Sequence, residues 1–122
     1  MACLALLAPA LSCAAELKHV LVLYAHDRLL PANVQGDRGL MEEFAKRPDL
    51  RLEVSNEFLN YPRFQGPAYE ATLRGFLTHK YAGDPPDVVI AIGDEALDFL
   101  LRSRAELFAG VPIVHAVVSS DF

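Results

Sequence analysis

The segment DVVIAIGDEA, residues 87–96, decides the fold. Its centre, VVIAI, is apolar at every position, which is typical of a strand buried on both faces of a parallel sheet. A glycine and two acidic residues follow directly, and acidic residues favour the first turn of a helix. The segment therefore predicts a buried strand over residues 87–93 that passes directly into a helix opening at Asp94.

Three further strands flank this segment in the sequence. We predict them over residues 18–25, 50–55 and 111–118, where the second alternates apolar and polar residues as an edge strand does. Amphipathic helices are predicted between the strands, the first capped by Asn33 and the second starting near Pro67. Because parallel crossovers are right-handed, this alternation predicts a doubly wound, flavodoxin-like α/β fold. We expect three α/β/α layers and a parallel sheet of about four strands in the order 2-1-3-4.

Composition limits the classes of function. The chain has 122 residues, 52% of them hydrophobic, and a net charge of -5. One domain fits this length, and the acidic balance argues against nucleic acid as the main partner because phosphate binding needs a basic surface. Two cysteines cannot supply a four-sulfur zinc site, and no P-loop, Gly-x-Gly-x-x-Gly, His-Glu-x-x-His or Gly-x-Ser-x-Gly motif occurs. We therefore expect no metal, no cofactor and no catalytic activity in this segment.

Residues 1–15 differ from the rest of the sequence. Thirteen of the fifteen are hydrophobic, none is charged, and the stretch ends in Ser12-Cys13-Ala14-Ala15. A short apolar run followed by small residues is typical of a secretory signal peptide, here without its basic start. Two alternatives stay open, namely a lipoprotein anchored at Cys13 and a buried N-terminal helix of a cytosolic protein. We expect export to the periplasm and a mature single α/β lobe over residues 16–122.

The candidate site follows from the topology. Ligands of doubly wound sheets bind beyond the carboxyl ends of the strands, where the strand order reverses. The predicted ligand-binding residues follow the first, third and fourth strands, and they are Tyr24, His26, Asp27, Gly93, Asp94, Glu95, Ser119 and Ser120. Plainer alternatives are a helix N-cap for Asp94, a tight turn for Gly93 and ordinary loop positions for the serines. His115, within the fourth strand, is expected to be a hydrogen-bonded core residue.

The loop at residues 61–64 also follows a strand on this side of the sheet. Its sequence, Tyr-Pro-Arg-Phe, carries two aromatic rings and a cation. Aromatic side chains stack on ligands or fill the space between secondary-structure elements. The loop is therefore either a wall of the site or packing against the second helix.

Several phrases occur together in a recognisable order. They are HVLVLY at 19–24, HDRLLPAN at 26–33, EFL at 57–59, YPRF at 61–64, PDVVIA at 86–91 and ALDFL at 96–100. In this order they resemble the N-terminal part of the extracytoplasmic sensor region of bacterial membrane histidine kinases. That region is similar to ABC-transporter substrate-binding proteins of the type I periplasmic binding class.

The resemblance implies a small-molecule-binding lobe that forms half of a two-lobed clamshell. We expect a second lobe or partner chain to complete the cleft, and contact with the membrane only through segments downstream of residue 122. Two other functions stay open. One is a module that binds a partner protein through an exposed sheet edge, and the other is a flavodoxin-like or phospho-receiver domain that uses Asp27 or Asp94.

Overall fold

The computed structural model of the protein describes residues 16–122. The expected signal peptide and both cysteines therefore lie outside the described residues. Strands and helices alternate throughout, in the order β1 (Leu17–Tyr24), α1 (Pro31–Ala45), β2 (Arg51–Phe58), α2 (Pro67–Lys80), β3 (Val88–Ile92), α3 (Asp94–Ser103) and β4 (Ile113–Ala116). No helix within residues 16–122 has both the length and the apolar character needed to cross a bilayer.

The four strands form one parallel sheet in the order β2-β1-β3-β4, which confirms the predicted doubly wound α/β fold. Val20 of β1 is in register with Val54 of β2 and with Val88 of β3. The ladder continues past the strand ends, since Ala25 N–H donates to Ile92 O at 2.9 Å. Sheet order reverses between β1 and β3, so this is the switch point at which the topology places a ligand.

Helices cover both faces of the sheet. Alternate side chains of β1 point to opposite faces and so enter two different cores. Val20, Val22 and Tyr24 lie on the face covered by α1, where Leu40 and Phe44 pack against them. Leu21 and Leu23 belong to the larger core under α2 and α3, and this core includes Leu77, Phe99 and Leu100. Six consecutive residues of β1 are buried, which explains why its sequence shows no alternation.

The first helix starts earlier than the sequence predicts. Asn33 is not the N-cap, because Leu30 occupies that position and the helix begins at Pro31. Proline suits the first turn of a helix, because N–H groups there have no intrahelical acceptor and the lack of one costs no hydrogen bond. Asn33 instead lies inside the helix, 5% exposed, and its amide Nδ2 donates to the carbonyl of Asp27 at 2.8 Å.

The fourth strand is short, and His115 within it is exposed, so its prediction as a core residue was wrong. β4 is an edge strand, and no helix in the described part of the chain covers its α1-side face at Val114, which is 53% exposed. β2, the other edge, carries Arg51, Glu53 and Glu57. Charged residues on an edge strand discourage pairing with other chains, and residues 111–118 carry no Asp, Glu, Lys or Arg.

Candidate functional site

A groove of about 590 Å³ lies at the switch point, beyond the carboxyl ends of β1, β3 and β4. We call it the switch-point groove. Five of the eight predicted site residues line it, and they are His26, Gly93, Asp94, Glu95 and Ser119. Its other lining residues include Asn33 and an apolar wall of Leu30, Ile92, Val117 and Val118. Its volume is within the range of about 300–1,000 Å³ that is usual for small-ligand sites.

Gly93 forms the turn between β3 and α3. Its φ is +96°, and a Cβ at this position would come within 2.9 Å of the Ala25 Cβ. Only glycine adopts this conformation without strain, and the close approach leaves no space for a side chain. The tight turn is therefore a sufficient reason for this glycine, and it places the start of α3 at the groove.

Asp94 is not a helix N-cap, because Gly93 occupies that position. Asp94 is the first residue of α3, and its Oδ1 accepts the Ser119 N–H at 2.7 Å. This bond joins the segment after β4 to the start of α3. The site residues predicted after β3 and Ser119 after β4 thus form one wall of the groove, held by a charge-assisted hydrogen bond.

His26 lies at the end of β1 with a defined ring orientation. Its Nδ1 is 2.9 Å from the Tyr61 carbonyl oxygen, which can only accept a hydrogen bond, so Nδ1 carries the proton. Nε2 then faces Glu95 Oε2 at 3.7 Å, too far for a direct hydrogen bond. In the neutral ring, Nε2 and the carboxylate are both acceptors. A ligand hydroxyl or amine that reached both would therefore satisfy two acceptors of the protein.

The start of α3 supplies backbone donors to the groove. The first intrahelical bond of α3 runs from Leu97 N to Gly93 O, so the earlier N–H groups of α3 have no acceptor within the helix. Ala32, in the first turn of α1, lines the same groove. The N–H groups at the start of α3 and the acceptors of His26 and Glu95 therefore belong to one lining, beside the apolar wall.

Three predicted residues do not line the switch-point groove. Tyr24 is fully buried on the α1 face, where its ring stacks on Phe58 at 4.8 Å and its hydroxyl donates to Asp37 at 3.2 Å. Burial raises the pKa of the Tyr24 hydroxyl. Asp27 holds its own turn, since its Oδ1 accepts the Leu29 N–H at 2.7 Å. Ser120 is exposed beside the groove and is absent from its lining.

Asn33 lines the groove, although its sequence position led us to predict a helix cap. Pro31 was the signal in the sequence, because proline is favoured at the first position of a helix. A helix that starts at Pro31 includes Asn33 in its first turn. Val117 and Val118 were read as strand, whereas β4 ends at Ala116 and Val117 has a φ of +57°. That backbone turn leads the chain from β4 toward Ser119.

The aromatic loop packs against α2 and does not line the groove. Its Tyr61 ring contacts Tyr69 edge to face, and the Tyr61 hydroxyl donates to Glu70 at 3.1 Å. Glu70, 9% exposed, also receives two hydrogen bonds of 2.8 Å from Arg102 of α3. Those bonds hold the pKa of the Glu70 carboxyl below its ordinary value, and burial raises the pKa of Tyr61 to about 12. Because the Tyr61 carbonyl also accepts the His26 bond, this network positions His26 from outside the groove.

Within residues 16–122, His, Cys, Asp and Glu side chains do not form a group of three or more that would hold a metal ion. A buried histidine, His19, lies at the opposite end of the sheet, where its Nε2 is 2.9 Å from Ser55 Oγ. No family model, curated protein sequence or solved structure matches this chain.

Proposed function

We propose that the chain is an exported, non-catalytic lobe that binds a small molecule in the switch-point groove. The observation that carries this proposal is the convergence of His26, Glu95 and Ser119 on a 590 Å³ groove where the sheet order reverses. The phrases that resemble histidine-kinase sensor regions and ABC-type substrate-binding proteins support the same function. The groove is open, which fits a site completed by a second lobe or partner chain.

The lining favours a ligand with an apolar part and at least one hydroxyl or amine. The donor lies between His26 Nε2 and Glu95 Oε2, which are 3.7 Å apart and lack a hydrogen bond to each other. The apolar part contacts the wall formed by Ile92 and Val118. Both side chains of the polar pair are partly exposed, at 35% and 45%, so ligand reaches them without any opening of the core.

Thermal unfolding of the chain with grouped metabolites tests the proposal. Polyols, amines, amino acids and short organic acids are added separately, and the midpoint is followed by circular dichroism. A ligand at about 100 times its Kd adds about 2.7 kcal/mol of stability. At about 4–8 °C per kcal/mol for a domain of this size, we expect a shift of at least about 10 °C from one class.

Matched variants locate the binding. His26→Gln replaces the Nε2 acceptor with an amide, and Glu95→Gln removes one carboxylate oxygen and the charge. We expect each to weaken binding at least tenfold. His79→Gln, on an exposed part of α2, and Glu53→Gln, on the exposed side of β2, are the controls. A midpoint unmoved by every class, or an equal shift in the groove and control variants, contradicts the proposal.

Export is a separate part of the proposal and is supported by the pattern of residues 1–15. We expect the chain recovered from the periplasm to have lost these residues, with cleavage after Ala14 or Ala15. Leu6→Arg places a charge in the apolar run and should leave the full-length chain in the cytoplasm. Intact mass spectrometry of the two fractions measures both results. Unprocessed wild-type chain in the cytoplasm contradicts export.

The exposed edge of β4 supports a second candidate function, that of a partner-binding module. Val114 and Val117 are 53% and 72% exposed, and the neighbouring sequence from 111 to 118 carries no Asp, Glu, Lys or Arg. An uncharged edge strand is a template for pairing with another strand. Light scattering at increasing concentration tests for self-pairing, with Val114→Lys as the blocking variant. A monomer at every concentration contradicts self-pairing through this edge.

A further inference from the structure

A second cavity, of about 430 Å³, lies between α1 and the carboxyl ends of β1 and β2. We call it the α1 pocket. Its polar lining residues are Arg28, Asn33, Asp37 and Asn56, and its aromatic ones are Tyr24 and Phe58. Of these only Asn33 also lines the switch-point groove. The α1 pocket is therefore a separate site, and its volume is within the usual range for small-ligand sites.

Arg28 and Asp37 bring opposite charges to this pocket without pairing to each other. In residues 16–122, Arg28 makes no ion pair, and the two hydrogen bonds to Asp37 both reach Oδ1. The donors of those bonds are the Tyr24 hydroxyl at 3.2 Å and the Asn56 amide at 3.4 Å. Asp37 is thus held in place from one side, while its Oδ2 is left for another donor.

Apolar surface accompanies the two charges. The half-buried Phe58 ring stacks on Tyr24 with an interplanar angle of 12°, so it presents a rigid aromatic surface to the pocket. Val34 and Leu29 line the pocket while being 44% and 72% exposed. A ligand body that covers these side chains removes apolar surface from water, which favours binding. A planar body suits the Phe58 ring, because offset-stacked rings attract each other.

We infer that the α1 pocket binds a small zwitterion with a planar apolar body, whose carboxylate contacts Arg28 and whose ammonium contacts Asp37. Guanidinium groups bind carboxylates with two parallel hydrogen bonds, and a carboxylate oxygen accepts a strong bond from an ammonium. A compound with both groups satisfies two charges that form no ion pair in the described part of the chain. A compound with one group satisfies only one of them.

Three related probes separate the contributions of the two charges. They are 4-(aminomethyl)benzoic acid, which is a zwitterion, 4-methylbenzoate, which carries only the anion, and 4-methylbenzylamine, which carries only the cation. Each is titrated into the ¹⁵N-labelled chain, and amide shifts of Arg28, Asn56 and Phe58 are followed. We expect the zwitterion to bind about tenfold more tightly than either single-charge probe.

Variants assign each charge to its partner. Arg28→Gln should weaken binding of the zwitterion and of 4-methylbenzoate about tenfold and leave binding of the amine unchanged. Asp37→Asn should weaken binding of the zwitterion and of 4-methylbenzylamine about tenfold and leave binding of 4-methylbenzoate unchanged. Asn at position 37 keeps an oxygen that accepts the Tyr24 bond. The controls are Arg38→Gln and Glu42→Gln, exposed residues of α1 outside the pocket lining. The inference is overturned if the zwitterion has no advantage in the wild-type chain. It is also overturned if the shifts occur only around His26 and Ser119 in the switch-point groove.

Discussion

Glu70→Gln tests whether the network behind the aromatic loop stabilises the fold. The Glu70 carboxylate is buried and joins three elements. It accepts two 2.8 Å bonds from Arg102 of α3 and one 3.1 Å bond from the Tyr61 hydroxyl, and Arg74 is 3.8 Å away. Glutamine keeps the shape and one acceptor oxygen. It loses the charge and the second acceptor that the Arg102 guanidinium requires.

The expected cost follows from burial and geometry. A hydrogen bond to a charged group contributes about 1.5–3 kcal/mol net. The Glu70 side chain is only 12% exposed, whereas that of Arg102 is 50% exposed, so water screens part of the interaction. We therefore expect Glu70→Gln to lower the free energy of unfolding by about 1–2 kcal/mol at pH 7.

The pH dependence gives a second readout. The Arg102 hydrogen bonds lower the pKa of Glu70 in the folded chain from its ordinary value of 4.5. A lowered folded-state pKa stabilises the fold above the unfolded value, and this stabilisation is lost as pH falls through the folded value. The difference in the free energy of unfolding between wild type and Glu70→Gln should thus be largest at pH 7 and should shrink as pH falls below about 4.5.

Urea unfolding followed by circular dichroism measures these differences. The matched control is Asp49→Asn, because Arg47 also makes two hydrogen bonds to Asp49, at 3.0 and 2.9 Å, but both side chains are about 60% exposed. We expect no measurable change for the control. Equal effects of the two substitutions, or a Glu70→Gln effect that is the same at pH 3.5 and pH 7, would show that the buried Glu70 charge does not stabilise the fold.

Two further predictions concern the groove. Gly93→Ala should cost about 2 kcal/mol or more, because φ is +96° and the new Cβ would meet that of Ala25. The control is Gly75→Ala in α2, where an added Cβ would meet nothing within 4 Å. It should raise the free energy of unfolding by about 0.5–1 kcal/mol in the same urea assay. Equal effects of the two glycine substitutions would contradict the strain assigned to Gly93. In long-range ¹H–¹⁵N spectra at neutral pH, His26 should carry its proton on Nδ1 because the Tyr61 carbonyl accepts it. An Nε2-protonated ring would contradict the geometry.

The sequence was sufficient for the architecture because buried parallel strands leave an unambiguous pattern. The runs around Val20 and Ile90 are apolar at successive positions, and the charged, alternating run of β2 marks an edge. The handedness of parallel crossovers then leaves few possible strand orders. The predicted order, 2-1-3-4, is among those left and is the order observed.

The loops of the site could be predicted from the sequence more accurately than its side chains. Strand ends were located well enough to select residues 93–95 and His26, but Tyr24 is still within β1 and its side chain follows the pleat to the α1 face. A side chain within a strand points to one face of the sheet, so Tyr24 does not reach the space beyond the strand end. Asp94 and Asn33 failed as caps because both helices start earlier than predicted. The N-cap of α3 is Gly93, one residue before Asp94, and that of α1 is Leu30, three residues before Asn33.

Residues outside the switch-point groove determine how His26 presents its acceptor. Arg102 donates to Glu70, and Glu70 accepts a bond from the Tyr61 hydroxyl. The Tyr61 carbonyl in turn accepts the bond from His26 Nδ1. Loss of Glu70 should therefore weaken a ligand of the groove without removing any contact to it. Glu95→Gln should weaken the same ligand without changing the ring tautomer. Measuring the His26 tautomer in both variants separates positioning from contact, because only a positioning residue alters the ring in the absence of ligand.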